Sequence, residues 1–483
     1  MSRQALTEDS NVKSDLLAVP PLLGQPLAYV FVAFIFLLAF YSTGQKKANV
    51  PELNPPKSRL RLPGIVSAEQ TQSFLRHSKE LFLDGRAKFP NQPYRLYSYL
   101  GDSIIIPPNL INEIRNEKAL EFRTIFIKGS QSTQISFKLA QEWLEVKPPD
   151  MLNIVAQVST RIFMGDELCR NEDWLNESAL YTASAFYGVE ALRRWPSILR
   201  PLVAPFLAEC KEARARIARC REILEPFVTA RHAAKAKALA KGEKPPVYND
   251  SLEWFEKECE IYDPATNQIT LAMAAIHTTS DLMTETMTQL ARHPETFEPL
   301  RREVVEVLSR DGLKKTALYN LKLMDSVIKE CQRLKPINIA NMQRIAVKQF
   351  KLPNGLVIPK GERVWADITH MWSDEYYKNA AEFNPYRFMD LRGTEKEHSA
   401  NFVSTSADHI GFGHGEHACP GRFFASNEIK ILLCHILLKY DWKLPEGHDP
   451  KHVSVGLPLF QNPDARLLIR RRKEEIDLGS IEW

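Results

Sequence analysis

Cys419 is the residue best placed to do chemistry in this sequence. It sits in the run Phe412-Gly413-His414-Gly415-Glu416-His417-Ala418-Cys419-Pro420-Gly421-Arg422. Ala425, Ile429, Leu432, Leu433, Ile436, Leu437 and Tyr440 then form one apolar stripe at helical spacing. A helix is therefore expected to start just after Cys419, with Pro420 at its first position. Free N–H groups and the dipole at such an end favour an anion, so the thiol is expected to titrate low and persist as thiolate. Gly413, Gly415 and Gly421 leave room for backbone to approach a flat ligand. Two plainer readings compete. A lone cysteine there can be a small buried residue at a helix cap, and His414, His417 and Cys419 could hold zinc, though their spacing matches no common zinc pattern.

A thiolate offered from a glycine-bearing loop is what a heme iron needs, because the axial sulfur pushes electron density onto the metal. His417 is placed to reach a heme propionate. Three further groups lie upstream. Glu330 and Arg333 fall three apart on one helix face, where their charges can pair; as an ordinary surface pair they would be worth little. Phe383-Asn384-Pro385-Tyr386-Arg387-Phe388 follows. Ala274-Ala275-Ile276-His277-Thr278-Thr279 sets small and hydroxyl residues inside a long helical pattern. A helical threonine ordinarily donates back to a carbonyl one turn earlier, and a histidine can shuttle protons near neutrality.

In this order and spacing the segments resemble the cytochrome P-450 superfamily. Phe412, Gly415, Cys419 and Gly421 match its F-x-x-G-x-x-x-C-x-G signature. Glu330 and Arg333 match its E-x-x-R, and the run around Arg387 its F-x-P-x-R-F. The resemblance implies heme b with Cys419 as axial iron ligand. It implies a buried network of Glu330, Arg333 and Arg387 that locks the core under the heme. Thr278 would guide protons to dioxygen, and Arg344, eleven residues after Arg333, would bind a propionate. Ile337 to Met342 and Val455 to Phe460 would border the substrate. At His277 most members carry Asp or Glu; the His-Thr-Thr variant resembles ascomycete enzymes that oxidise diterpenoids, indole-diterpenes and meroterpenoids.

The elements that must position these residues read as mainly α with a minor β region. Helical patterns cover Ala208 to Arg231, Asn267 to Arg292, Phe297 to Arg310 and Leu321 to Leu334. Tyr94 to Ile106 reads as a hairpin through Gly101-Asp102, and Val357 to Ala366 as a second. Lys235 to Val247 reads as an exposed loop. With 483 residues, 44% hydrophobic and 25% charged, the chain can bury a full core. A net charge of +4 implies no nucleic-acid face. Seven cysteines without a C-x-x-C pair argue against a disulfide framework or structural zinc.

Leu16 to Gln45 carries no charge, enough to cross a hydrocarbon core of about 30 Å. Lys46 and Lys47 follow, which places the rest in the cytoplasm. Residues 1–19 are thus a tail, 20–45 a single transmembrane anchor, 46–62 a stiff proline-bearing linker and 63–483 the catalytic domain. The family also places a helix with W-x-x-x-R or W-x-x-x-K after the first hairpin. Trp143-Leu144-Glu145-Val146-Lys147 fits that text superficially, but Phe126 to Gln141 is too short for both that helix and the segment after it. A deletion of several tens of residues around 125–145 is expected, with one wall of the heme pocket lost.

The resemblance implies a monooxygenase at the endoplasmic reticulum, facing the cytosol. It would oxidise C–H bonds of an apolar terpenoid-like substrate with electrons from an NADPH–cytochrome reductase. A heme-thiolate isomerase or dehydratase is the alternative, and a catalytically impaired member is a third reading.

Overall fold

A computed structural model of the protein describes residues 46–55, 68–121, 143–193, 195, 199–260 and 262–480. The expected anchor, the tail before it and most of 125–145 lie outside these residues. Among the described residues no helix is long and apolar enough to cross a membrane.

Helix α1 (Ala68–Lys88) leads into strands β1 (Tyr94–Ser98) and β2 (Gly101–Ile106), and β3 (Leu120–Glu121) follows. Past the undescribed stretch come β4 (Leu144–Val146), α2 (Pro148–Leu168), α3 (Glu172–Arg193), α4 (Ala208–Ala240) and α5 (Ser251–Glu258). Then follow the long helix α6 (Pro264–Arg292), α7 (Phe297–Asp311) and α8 (Lys322–Leu334). Short strands β5 (Ala340–Ala346), β6 (Phe350–Lys351), β7 (Val357–Ile358) and β8 (Arg363–Asp367) precede α9 (Arg422–Lys439). Strands β9 (Tyr440–Lys443), β10 (Val453–Ser454), β11 (Leu459–Phe460) and β12 (Leu467–Arg471) end the described chain. The fold is mainly helical with small sheets, as the sequence predicts.

Local chemistry explains the main boundaries. Helix α6 starts three residues earlier than its apolar pattern because Pro264 suits a first turn, with its ring already at a helical φ. Helix α2 starts on Pro148, and the Asp150 carboxylate accepts the Lys147 backbone N–H at 2.7 Å, closing its first turn. Helix α4 overruns its expected end by nine residues. Lys235 to Ala240, read as loop, is all lysine, alanine and leucine, the best helix formers, and only 241–247 is irregular.

The main sheet runs β1-β2-β8-β5-β3, with β2 parallel to β8 and the other pairs antiparallel. The first hairpin forms, but Ser98 pairs with Gly101, so Tyr99-Leu100 make the turn and Gly101 opens β2 at φ +101°. The second expected hairpin does not form. Strand β7 pairs back to β6, while β8 enters the main sheet between β2 and β5. Proximity in sequence misled here, because β8 is buried on both faces and needs two neighbours.

The largest core gathers α2, α6, α7, α8 and α9; a second lies under the main sheet. Residues 46–55, expected within a stiff linker, lie along β1. Arg95 N–H donates to Pro51 O and Leu53 N–H to Arg95 O. Ala48 N–H donates to Glu362 Oε1 at 2.9 Å, and the buried Arg95 guanidinium grips Glu362 at 2.8 Å, Asp102 at 2.7 Å and Ala48 O at 3.1 Å. The domain thus begins before Pro63.

Candidate active site

The cysteine loop is a closed turn. Cys419 N–H donates to Phe412 O at 2.8 Å, Ala418 N–H to Gly415 O at 3.0 Å and Gly413 N–H to Ile410 O at 2.9 Å. Phe412 anchors it from inside, its ring 5.0 Å from that of the buried Phe402. Gly415 has φ +85°, and a Cβ there would fall 2.8 Å from Arg115 O, so only glycine fits. Gly421 is different: its conformation suits any residue, and a Cβ there would only touch Cys419 Sγ at 3.9 Å. What its lack of a side chain leaves open is space beside the sulfur.

Helix α9 starts at Arg422 with Gly421 as cap, so Pro420 precedes the helix instead of opening it. The thiol is also not depressed. Burial pushes it up and outweighs the Gly421 and Arg422 N–H groups and the Arg422 charge, which pull the other way. His417 stands exposed at the loop edge. His414 is buried deeper and fully used: its Nδ1 meets Thr405 Oγ1, and its Nε2 meets Asn112 Oδ1 and Arg115, each at 3.1 Å. That removes His414 from any zinc set with Cys419 and His417.

Strand β5, which carries Arg344, packs against this loop through Asn341 and Met342. Its pairing with β8 shifts register between Asn341 and Arg344, where Met342 sits at φ +50°. The bulge lets Asn341 Nδ2 donate to Ile410 O at 2.7 Å. Arg344 is 2% exposed, and burial pulls it down to about 10. An anionic group brought against it would regain that lost stabilisation of charge.

Glu330, Arg333 and Arg387 do come together. Arg333 donates to both Glu330 oxygens at 2.8 and 2.9 Å, to Met371 O at 2.6 Å and to Glu382 O at 3.4 Å. Arg387 Nε shares the same carboxylate at 3.0 Å, and its other nitrogens donate to the carbonyls of Lys378, Asn379 and Glu382. Asn384 N–H adds a donor to Glu330 at 3.1 Å. Glu330 and Arg333 are wholly buried. Each charge has its partners, which is the condition under which such a network holds.

On α6 one face stays uncovered. Thr266, Thr270, Ala274 and Thr278, four residues apart, are exposed, whereas everything from Leu282 to Leu290 is buried. Thr278 Oγ1 donates to Ala274 O at 2.8 Å, so its lone pairs point outward over that open face. His277, beside it, is pushed down to about 4 by burial and is neutral at pH 7.

Sequence reasoning missed the neighbour of this pair. Thr279 is buried close to Glu428 of α9, which accepts from Ser159 of α2 at 2.5 Å. Burial raises Glu428 to about 7, and the Ser159 hydrogen bond and the nearby Thr279 hydroxyl offset this only in part. The available signal was Phe424 and Leu432 at i±4, which place Glu428 on an apolar face. A carboxyl raised above its ordinary 4.5 stabilises the fold most below about pH 4.5, and loses that contribution as pH rises through about 7. Glu428→Gln, which keeps an acceptor for Ser159, is expected to exceed the parent in stability at pH 8 by up to about 3 kcal/mol and to match it at pH 5. Denaturant titrations at the two pH values would decide; an equal margin at both refutes the assignment.

Trp143 and Lys147 are not on one helix. Trp143 leads into β4, which pairs with β12, and its ring lies 4.7 Å from Lys443 Nζ and 4.7 Å from Arg470 Cζ. Lys147 caps α2.

A thiol on a closed loop, room beside its sulfur, a buried cation on β5 and an open face of small residues on α6 together fit a flat, anionic metal macrocycle with a soft axial ligand. Comparison with known proteins agrees. Residues 117–468 match the family described as Cytochrome P450. The chain is 41% identical to cytochrome P450 monooxygenase eqxH of Fusarium heterosporum, across 94% of this chain and 96% of that one. It is 35% identical to cytochrome P450 monooxygenase adrA of Penicillium rubens, across 94% and 97%. The first of these alignments spans 499 positions, more than the 483 residues of this chain, so it opens gaps here. A cytochrome P450DA heme domain shares the fold, with a TM-score of 0.65 at 18% identity over 89% of this chain and 99% of its own. The chain belongs to the cytochrome P450 family, heme-thiolate oxidoreductases of the monooxygenase kind.

Proposed function

We propose that this chain is a membrane-anchored monooxygenase that hydroxylates C–H bonds of an apolar, terpenoid-like intermediate in fungal secondary metabolism. The observation that carries the reading is the closed Cys419 loop. Cys419 would hold the heme iron through its sulfur, and Arg344 and His417 would hold the propionates. Heme bound there would supply oxygen activation, putting one atom of dioxygen into the substrate and the other into water, with two protons and two electrons from NADPH through a separate reductase. Thr278 offers an acceptor to an incoming proton, because its own hydrogen is engaged by Ala274 O. His277, neutral at pH 7, passes a proton on without storing one. The apolar substrate class is supported by the uncovered side chains of Ile337, Val455 and Phe460, 39%, 45% and 44% exposed. The segments that carry them are joined: Leu459 N–H donates to Ile337 O at 2.8 Å. The uncharged stretch Leu16 to Gln45, followed by Lys46 and Lys47, supports an anchor in the endoplasmic reticulum with this domain in the cytosol.

A second reading is that the chain is an impaired member. The strand placement of Trp143 favours it, since a deletion near 125–145 would remove a propionate-binding helix, and the alignment opens gaps somewhere in this chain. The carbon monoxide difference spectrum of the reduced, membrane-bound chain separates the two. A Soret band typical of thiolate-ligated heme is expected. A band typical of a neutral ligand, or none, brings the second reading forward. Turnover without NADPH would instead indicate an isomerase or dehydratase.

A further inference from the structure

We propose that Asp281 and Glu285 are positioning residues that fix the far wall of the substrate chamber and thereby set which lengths of apolar chain it accepts. The inference rests on the reading above that 337–342 and 455–460 border the substrate.

Thr278, Asp281 and Glu285 follow at i, i+3 and i+7, so one face of α6 presents the open small residues first and the two acids next. Both acids are engaged by the roots of the segments that border the chamber. Asp281 pairs with Lys335, a wholly buried lysine two residues before Ile337. Glu285, also wholly buried, accepts from His452 Nε2 at 2.7 Å and Gln461 Nε2 at 3.0 Å, and Gln289 Nε2 supports its other oxygen at 2.7 Å. His452 immediately precedes β10 and Gln461 immediately follows β11, so one carboxylate holds both ends of that hairpin. Gln461 also donates to Asp281 O at 3.3 Å. Burial alone would raise Glu285; the His452 bond and charge, with the two glutamine amides, hold it at about 2, so it stays ionised.

The hairpin needs such a clamp. It has two residue pairs, Val453–Phe460 and Ser454–Leu459, too few to stand alone. Its tip is tied to the other segment by Leu459 N–H to Ile337 O and Ile339 N–H to Leu457 O, at 2.8 and 2.9 Å. It is tied to α1 by Gly456 N–H to Leu75 O at 3.0 Å. Since the tips are joined and the roots share one helix turn, a change at the acids moves Ile337, Val455 and Phe460 together.

The test uses the full-length, heme-loaded chain in membranes, parent against Glu285→Gln. Imidazole and 1-alkylimidazoles of rising chain length are titrated by the Soret shift, which reports binding without turnover. In the parent, affinity is expected to rise roughly fourfold per methylene until the tail meets the wall. In the variant imidazole itself should bind as before, while the break in that series moves to longer chains and the Leu459 amide exchanges hydrogen faster. The same break point in both proteins overturns the proposal. No shift with imidazole in the parent overturns the heme-site reading and the proposal with it. Should Glu285→Gln fail to load heme, His452→Ala and Gln461→Ala each remove one grip from the hairpin side and must shift the break the same way.

Discussion

Glu330→Ala is expected to leave no stable folded domain. The substitution strips from two guanidinium groups, one of them wholly buried, the one carboxylate that pairs with them among the described residues. Removing one partner of a buried ion pair costs about 3–5 kcal/mol, because the remaining charge stays desolvated. A typical domain has only about 5–15 kcal/mol in hand. The loss extends beyond the pair. Arg333 also holds Met371 O and Arg387 holds Lys378 O, and Asn384 N–H is left without its acceptor. Glu330→Gln keeps the shape and one acceptor, so its cost should be smaller. Arg387→Ala should be milder still, since Arg387 lies at the edge and Glu330 keeps Arg333. Yield of folded protein and the midpoint of urea unfolding measure this order. A Glu330→Ala chain that melts within a few degrees of the parent would show that the network is not under load.

Cys419→Ala is expected to do the opposite: keep the fold and lose the chemistry. The loop closes through the Cys419 backbone N–H and Phe412 O, which the substitution leaves alone. The side chain is half-buried, so deleting one sulfur should cost about 1 kcal/mol or less. The other six cysteines lie on other elements: Cys331 and Cys434 are wholly buried in the helical core, Cys210 and Cys220 lie on α4, and Cys169 and Cys259 end α2 and α5. Monooxygenation should fall to background and the thiolate-type carbon monoxide band should vanish, while the unfolding midpoint stays near that of the parent. A variant that keeps the band would move the ligand to another residue.

The two substitutions mark what the sequence makes legible. The Cys419 loop can be read because its determinants are local: glycines at fixed offsets, an aromatic anchor and an apolar stripe within thirty residues. The Glu330–Arg333 pair is also local, an i, i+3 contact. Arg387 joins them from 57 positions away, and only the family resemblance suggests it. What stayed hidden is what distant segments decide. Glu428 meets Ser159 across 269 positions, and no local pattern shows that a buried carboxyl has a hydroxyl waiting. Strand β8 reads as half of a hairpin, yet its neighbours β2 and β5 are chosen by burial on both faces. The end of α4 differs for another reason: a polar, lysine-rich run reads as loop although its intrinsic helix propensity is high.

The seating of residues 46–55 bears on how this chain is made. Ala48 and its partner Glu362 are 314 positions apart, and Arg95 waits for the same carboxylate across 267. The arm is among the first parts to leave the ribosome, but Glu362 does not exist until about three-quarters of the chain has been synthesised. Until then a nascent chain carries Arg95 with Asp102 but without Glu362, the more buried of its two carboxylate partners. Synthesis runs from the arm toward β8, whereas sealing of this edge must wait for β8 and then run back to the arm. Fragments that stop before residue 362 therefore leave this edge unsealed, however complete their first hairpin.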